Sequence, residues 1–188
     1  YLIITPSYLA SAAQALADMH TDSVDVEFRL NTEVVRVKDI SMDVSGNGIR
    51  EYIIQRIEDD LSDESLELKF LLLFGDENDI PPIFYNGDYP SDDFYTTADN
   101  TNIFSGDPQL ASGRIPVNNE TDAWIVVDKI KNYTIRPTSG IWRSKVALVA
   151  DDMYDSCSYE SGESSHTKNS DAIYDSLNTL LPILPFYG

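Results

Sequence analysis

Cysteine is almost missing from this chain. Cys157 stands alone among 188 residues, which excludes an internal disulfide framework. Basic charge is scarce too: 13 Lys and Arg face 32 Asp and Glu, for a formal net charge of -19. A surface of that sign repels phosphate backbones and anionic lipid, so neither nucleic acid nor a membrane surface is an expected partner. Histidine occurs twice, at His20 and His166. No apolar run reaches the roughly eighteen residues that a membrane span requires. The chain opens on Tyr1-Leu2-Ile3-Ile4-Thr5 without a charged leader region, and it closes on an apolar strand-like run, Pro185-Phe186-Tyr187-Gly188. Both ends read as cut from something longer.

Apolar runs and amphipathic stretches alternate along the chain. That is the pattern of α/β architecture: a mostly parallel sheet flanked by helices. Residues 1–5 read as a buried strand stopped by Pro6, and Ser7 as the cap of a helix reaching about His20. That helix carries Leu9, Ala12, Ala13, Leu16 and Met19 on one face. Strands are expected within residues 24–30 and 34–37, followed by a turn at Ser45-Gly46-Asn47-Gly48. A helix with Ile49, Tyr52, Ile53 and Ile57 at helical spacing comes next, then a central strand at residues 68–74 (LKFLLLF). Residues 75–109 form a long segment rich in Asp, Asn, Pro and Tyr; segments of that length are usually functional. Beyond it the pattern predicts a strand at 110–117, a helix at 121–134 and a buried strand at 145–150 (KVALVA). A helix at 165–181 and a closing strand at 183–187 complete the pattern.

In doubly wound sheets, ligands and chemistry gather beyond the carboxyl ends of the strands. Asp76, the Ser91-Asp92-Asp93 cluster and Asp151-Asp152 stand at those ends. Asp76, Asp92 and Asp93 offer hard oxygen ligands to a metal such as calcium, which the acidic composition would attract, but they equally suit helix caps or solvated loop positions, and no EF-hand spacing is present. Hydrogen bonds to loop amides are the competing role for the same carboxylates. Gly113-Arg114 reads as a close backbone approach joined to an ion pair inside the fold. His20, in the last turn of its helix, reads as a partner of the helix dipole.

Cys157 and His166 lie nine positions apart in a polar stretch. Nothing Gly-rich or strand-terminal surrounds Cys157 to supply the oxyanion hole that thiolate catalysis needs. An incidental thiol is the simpler reading. A phospho-receiver domain would share the strand-end carboxylates, but its Lys belongs at the end of a late strand, whereas Lys145 precedes one. The sequons at Asn119 and Asn132 fall on or beside a predicted helix and carry no weight.

Six pieces occur in one order: Tyr1-Leu2-Ile3-Ile4-Thr5-Pro6; Gly48-Ile49-Arg50; Phe70-Leu71-Leu72-Leu73-Phe74-Gly75-Asp76 with Ile80-Pro81; Ser91-Asp92-Asp93-Phe94-Tyr95; Gly113-Arg114-Ile115-Pro116-Val117; and Trp142 before Val146-Ala147-Leu148-Val149-Ala150-Asp151-Asp152. Over nearly the whole chain this order resembles the gingipain family of cysteine peptidases, including the sortase-like member of the type IX secretion system. The resemblance implies a caspase-like, flavodoxin-like first subdomain, with residues 1–188 forming a single α/β piece of a longer peptidase domain. It implies that the catalytic Cys and His lie downstream, since neither a Gly-His-Gly setting nor a strand-Cys motif occurs here. It implies Asp152 as a supporting acid for that His, calcium binding, a polypeptide substrate, and the C-terminal half of the same domain as partner. It further implies a secreted or cell-surface bacterial location. The family's acidic specificity residue would fall near Ser165, where no carboxylate stands, so selection of Arg or Lys is not carried over. The alternative is a non-enzymatic peptidase-like α/β module for protein interaction in secretion or at the cell surface.

Overall fold

The computed structural model describes residues 1–22, 29–40, 46–61, 68–85, 89–97, 107–135, 138–150, 154–155, 158–159 and 164–180. It divides into two compact units, Tyr1–Thr138 and Ser139–Gly188.

The first unit is built on strand β1 (Leu2–Thr5), a 3-10 turn (Ser7–Leu9), helix α1 (Ala10–Asp22), β2 (Glu33–Arg36), α2 (Val37–Ile40), α3 (Gly46–Leu61) and β3 (Phe70–Phe74). A hairpin of β4 (Ile83–Tyr85) and β5 (Tyr89–Ser91) follows, then a 3-10 turn (Asp93–Tyr95), β6 (Ala111–Ile115) and α4 (Glu120–Ile135). Four strands form one sheet in the order β2-β1-β3-β6, all neighbours parallel. The chain leaves β1 toward β2 and then crosses to the other side for β3 and β6. The topological switch point therefore lies between β1 and β3.

Strand alternation divides the core into two layers. Leu2, Ile4, Leu71 and Leu73 face Ile49, Ile53 and Ile57 of α3, with Ile80, Phe94 and Tyr95 closing that layer. Ile3, Leu72 and Phe74 face Leu9, Ala12, Ala13, Leu16 and Met19 around α1, with Ala123 and Val127 of α4 beside them. The helical face expected for α1 is the buried one. Each fully buried Leu or Ile contributes about 1.5–3 kcal/mol, so the continuous apolar run of β3, covered on both sides, anchors the unit.

Three details differ from the sequence expectations. Ser7 does not cap α1: Pro6, with φ of -68°, leads into the 3-10 turn without any side-chain cap. Gly46-Asn47-Gly48 opens α3 and is not a turn. A Cβ on Gly46 would lie 3.0 Å from both the Pro81 carbonyl oxygen and the Tyr95 hydroxyl, so close packing against the next loop accounts for glycine there. Among the described residues a Cβ on Gly113 would meet no atom within 4 Å, so none of them makes the close backbone approach expected at that residue.

The second unit holds a 3-10 turn (Ile141–Ser144), a short antiparallel pair of β7 (Tyr154–Asp155) and β8 (Ser158–Tyr159), and helix α5 (Ser164–Leu180). Residues 145–150, expected as a buried strand, belong to none of the sheets formed by the described residues, and Val146 and Val149 are exposed. Apolar content makes a strand only where another strand runs alongside to form a ladder, and among the described residues no ladder includes this segment. Of the strand expected within residues 24–30, residues 24–28 lie outside the described residues and 29–30 are not in a strand; the expected strand at 183–187 also lies outside them. No helix among the described residues is long and apolar enough to cross a membrane.

Candidate site at the carboxyl edge of the sheet

Beyond the carboxyl end of β3 the loop 75–80 turns back on itself around Asp76. The Asp76 carboxylate accepts from the Asn78 backbone N–H at 3.0 Å, the Asn78 side-chain amide at 3.2 Å and the Asp79 N–H at 3.3 Å. Burial works to raise the pKa of this 6 % exposed residue. The bonds from Asn78 and Asp79, with one from the Asn118 side chain, outweigh burial and hold the carboxyl below its usual range. The Ile80 N–H closes the turn on the Asp76 carbonyl at 3.0 Å.

Arg114, near the end of β6, shares the register of Leu73 and reaches into this loop from the α3 side of the sheet. Its Nε and Nη2 donate to the two carboxylate oxygens of Asp92 at 2.8 and 2.7 Å. Nη1 donates to the carbonyls of Gly75 and Asp76 at 3.0 and 3.1 Å, and Nη2 also to Ile80 at 2.9 Å. Burial opposes the charge, but the bonds to Asp92 outweigh it and raise the guanidinium pKa. The ion pair expected at Gly113-Arg114 is therefore present, with Asp92 as its partner.

At the switch point itself, Tyr8 donates from its hydroxyl to the Asp79 carboxylate and bridges the loops after β1 and β3. Burial, the bond to Asp79 and the charges of Asp79 and Asp76 all push the Tyr8 pKa up. A Cβ on Gly75 would lie 3.1 Å from Pro6 Cδ, so the two loops pack closely against each other there. On the α3 side, Arg50 donates to the carbonyls of Phe94 and Thr97 at 2.8 and 2.6 Å and stands 5.1 Å over the Phe94 ring.

The three proposed metal ligands occupy different settings. Asp76 is buried against loop amides, both oxygens of Asp92 are bonded to Arg114, and Asp93 is exposed at the start of its 3-10 turn. Among the described residues no three His, Cys, Asp or Glu are placed to hold a metal ion. Asp151, Asp152 and Cys157 lie outside the described residues. His166, on α5, lines a groove of the second unit with residues 147–150, Asn169, Ser170 and Ile173. His20 stands edge-on to the Tyr1 ring at 5.6 Å, and burial pushes its pKa down, which opposes the cationic dipole partner expected of it. Sequence reasoning missed the Tyr8–Asp79 bridge and Asn118. The order β1-turn, β3-turn was the available signal, since those two loops must flank a switch point.

Parallel order, two helical layers and a polar edge at the switch point define a caspase-like, doubly wound α/β unit. The chain belongs to peptidase family C25, whose family model matches residues 1–184. Among solved structures it is similar to the complex of Porphyromonas gingivalis RgpB pro- and mature domains: 25% identity and a TM-score of 0.53, covering 70% of this chain and 28% of that one. It is also similar to the Arg-specific cysteine proteinase gingipain R, at 24% identity and a TM-score of 0.53 with the same coverage of both chains. Dimeric latent PorU from Porphyromonas gingivalis shares its fold at 19% identity and a TM-score of 0.57, covering 79% of this chain and 17% of that one. The chain thus spans well under a third of these proteins. No curated protein sequence matches it.

Proposed function

We propose that this chain is the N-terminal, non-nucleophilic subdomain of a secreted, gingipain-like bacterial cysteine endopeptidase. The catalytic Cys and His stand beyond residue 188, in the C-terminal half of the same domain. The observation that carries the reading is the C25 match over residues 1–184. The sequence supports it: His20 and His166 are its two histidines, and neither sits in a Gly-His-Gly setting. In this reading Asp152, after the VALVA run, orients the imidazole of the missing half and stabilises its charge once the thiolate has formed. The substrate is a polypeptide, the location is the bacterial surface or beyond, and type IX secretion is the route. Calcium belongs to the proposal as a ligand of the acidic segment 76–107, although Asp92 would first have to leave Arg114.

The test is Asp152→Asn in the full-length parent, with turnover and melting temperature both measured. A supporting acid predicts lower turnover and intact folding. Unchanged turnover with a lower melting temperature would make Asp152 structural. The second reading, a non-enzymatic interaction module, is favoured by the Tyr8–Asp79 bridge, which ties the loops after β1 and β3 to each other at the switch point. A full-length parent without peptidase turnover would establish it.

A further inference from the structure

The turn after β3 has the donor set of a cation site, and a side chain of the protein's own fills it. Five oxygens converge on one guanidinium: both of the Asp92 carboxylate, and the carbonyls of Gly75, Asp76 and Ile80, at 2.7 to 3.1 Å. They come from two segments, 75–80 and the Asp92 turn, which this group bonds together beside the Tyr95 hydroxyl's bond to the Pro81 carbonyl. Carboxylate and carbonyl oxygens are the ligands a hard divalent ion takes. Here they are spread along three different nitrogens of a planar fork, a shape that a spherical ion does not fill and that an ammonium matches at only one point. The Arg114 side chain is 15% exposed and that of Asp92 28%, so the cage is largely shielded from water.

We propose that Arg114 is the resident cation of this edge: its guanidinium occupies the oxygen cage, positions the 75–80 loop against the Asp92 turn, and makes the cage selective for guanidinium over metal ions. Without it, a carboxylate and three carbonyls would face one another with no donor between them, a costly arrangement in a part-buried site. The assignment is independent of the peptidase reading, since it concerns only how the carboxyl edge is held.

Chemical rescue in the full chain tests it. Arg114→Ala is expected to lower the melting temperature by roughly 10 °C, the size that suits loss of one partner of a shielded, multiply bonded pair. Millimolar guanidinium chloride should return most of that loss, while sodium chloride and calcium chloride at equal ionic strength should not. Adding Asp92→Asn to Arg114→Ala should abolish the rescue. Equal effects of guanidinium and sodium, rescue by calcium instead, or an unchanged melting temperature in Arg114→Ala would each overturn the proposal. Should Arg114→Ala not fold, Arg114→Lys provides the second measurement. It is expected to fold with faster hydrogen exchange at the Ile80 amide, which closes the turn on Asp76, and unchanged exchange there would equally overturn the assignment.

Discussion

Asp76 is a carboxylate stabilised by dipoles instead of a counter-ion. Backbone and side-chain N–H groups of Asn78 and Asp79 point at it, and Asn118 adds another donor. Its folded pKa lies below the unfolded one, so its contribution is complete above the ordinary carboxylate pKa. That contribution is lost as the pH falls through the folded value. Asp76→Asn should therefore cost about 1–2 kcal/mol at pH 7 and flatten the loss of stability in acid. Thermal denaturation across pH, wild type against variant, checks this; parallel curves would remove Asp76 from the account. His20 acts earlier on the same scale. Burial beside Tyr1 lowers its pKa, so the neutral imidazole is favoured, and protonation opposes folding once the pH drops below about 6.5. His20→Phe keeps an aromatic ring and should remove the part of the pH slope that lies between neutrality and the carboxylate range.

Helix α4 and strand β6 show how much single residues decide at the level of elements. Asn119 accepts the Asp122 N–H at 2.9 Å, and its side-chain amide donates to the Asp122 carboxylate at 2.8 Å. It is the N-cap of α4, and Asn119→Ala should cost about 1 kcal/mol while Asn119→Ser, which keeps an acceptor for the Asp122 N–H, costs less, as measured by denaturant midpoint. Gly113 in β6 behaves oppositely. A Cβ there meets none of the described residues, so Gly113→Ala should stabilise by about 0.5–1 kcal/mol through the entropy of the unfolded chain. A destabilised Gly113→Ala would mean that the residue faces a surface absent from the described residues. The elements that the sequence revealed are those whose apolar pattern coincides with burial: β1, α1, α3 and β3 each cover a core layer with the residues their pattern marks. On α4, by contrast, the expected face of Trp124, Val127, Ile130 and Lys131 buries only Val127, with Ala123 beside it and Trp124 exposed. The hairpin β4–β5 and the 3-10 turn at Asp93 were not legible, because elements of three residues have no period to read. Residues 145–150 fail for the opposite reason, since their apolar pattern names a strand but not a partner. At the site, Arg114 was legible as half of an ion pair. Its partner Asp92, 22 residues away, and the Tyr8–Asp79 bridge across 71 residues were not, because a single sequence does not record which loops the sheet brings together.

At the scale of the whole molecule, nineteen uncompensated negative charges work against compactness, and salt is the variable that exposes them. Screening shortens from about 10 Å at 0.1 M to about 3 Å at 1 M ionic strength, so the melting temperature should rise with sodium chloride before any specific binding is invoked. Calcium must therefore be compared with sodium at fixed ionic strength. A specific site adds RT ln(1 + [L]/Kd), about 2.7 kcal/mol at a hundredfold excess over Kd, which is roughly 5–10 °C for a chain of this size. Diffuse screening alone adds nothing once ionic strength is matched. The described carboxylates lean toward screening, since Asp76 is held by amides and Asp92 by Arg114, with Asp93 apart from both. A specific calcium effect would then have to draw on the rest of the acidic segment, and Asp92→Asn should leave it intact. The measurement is a melting series in chelator, calcium and sodium at one ionic strength, for wild type and Asp92→Asn. A calcium increment that disappears in Asp92→Asn would place the ion in the Arg114 cage and defeat the assignment of that cage to arginine. No increment in either protein would leave charge screening as the whole effect and remove calcium from the proposed function.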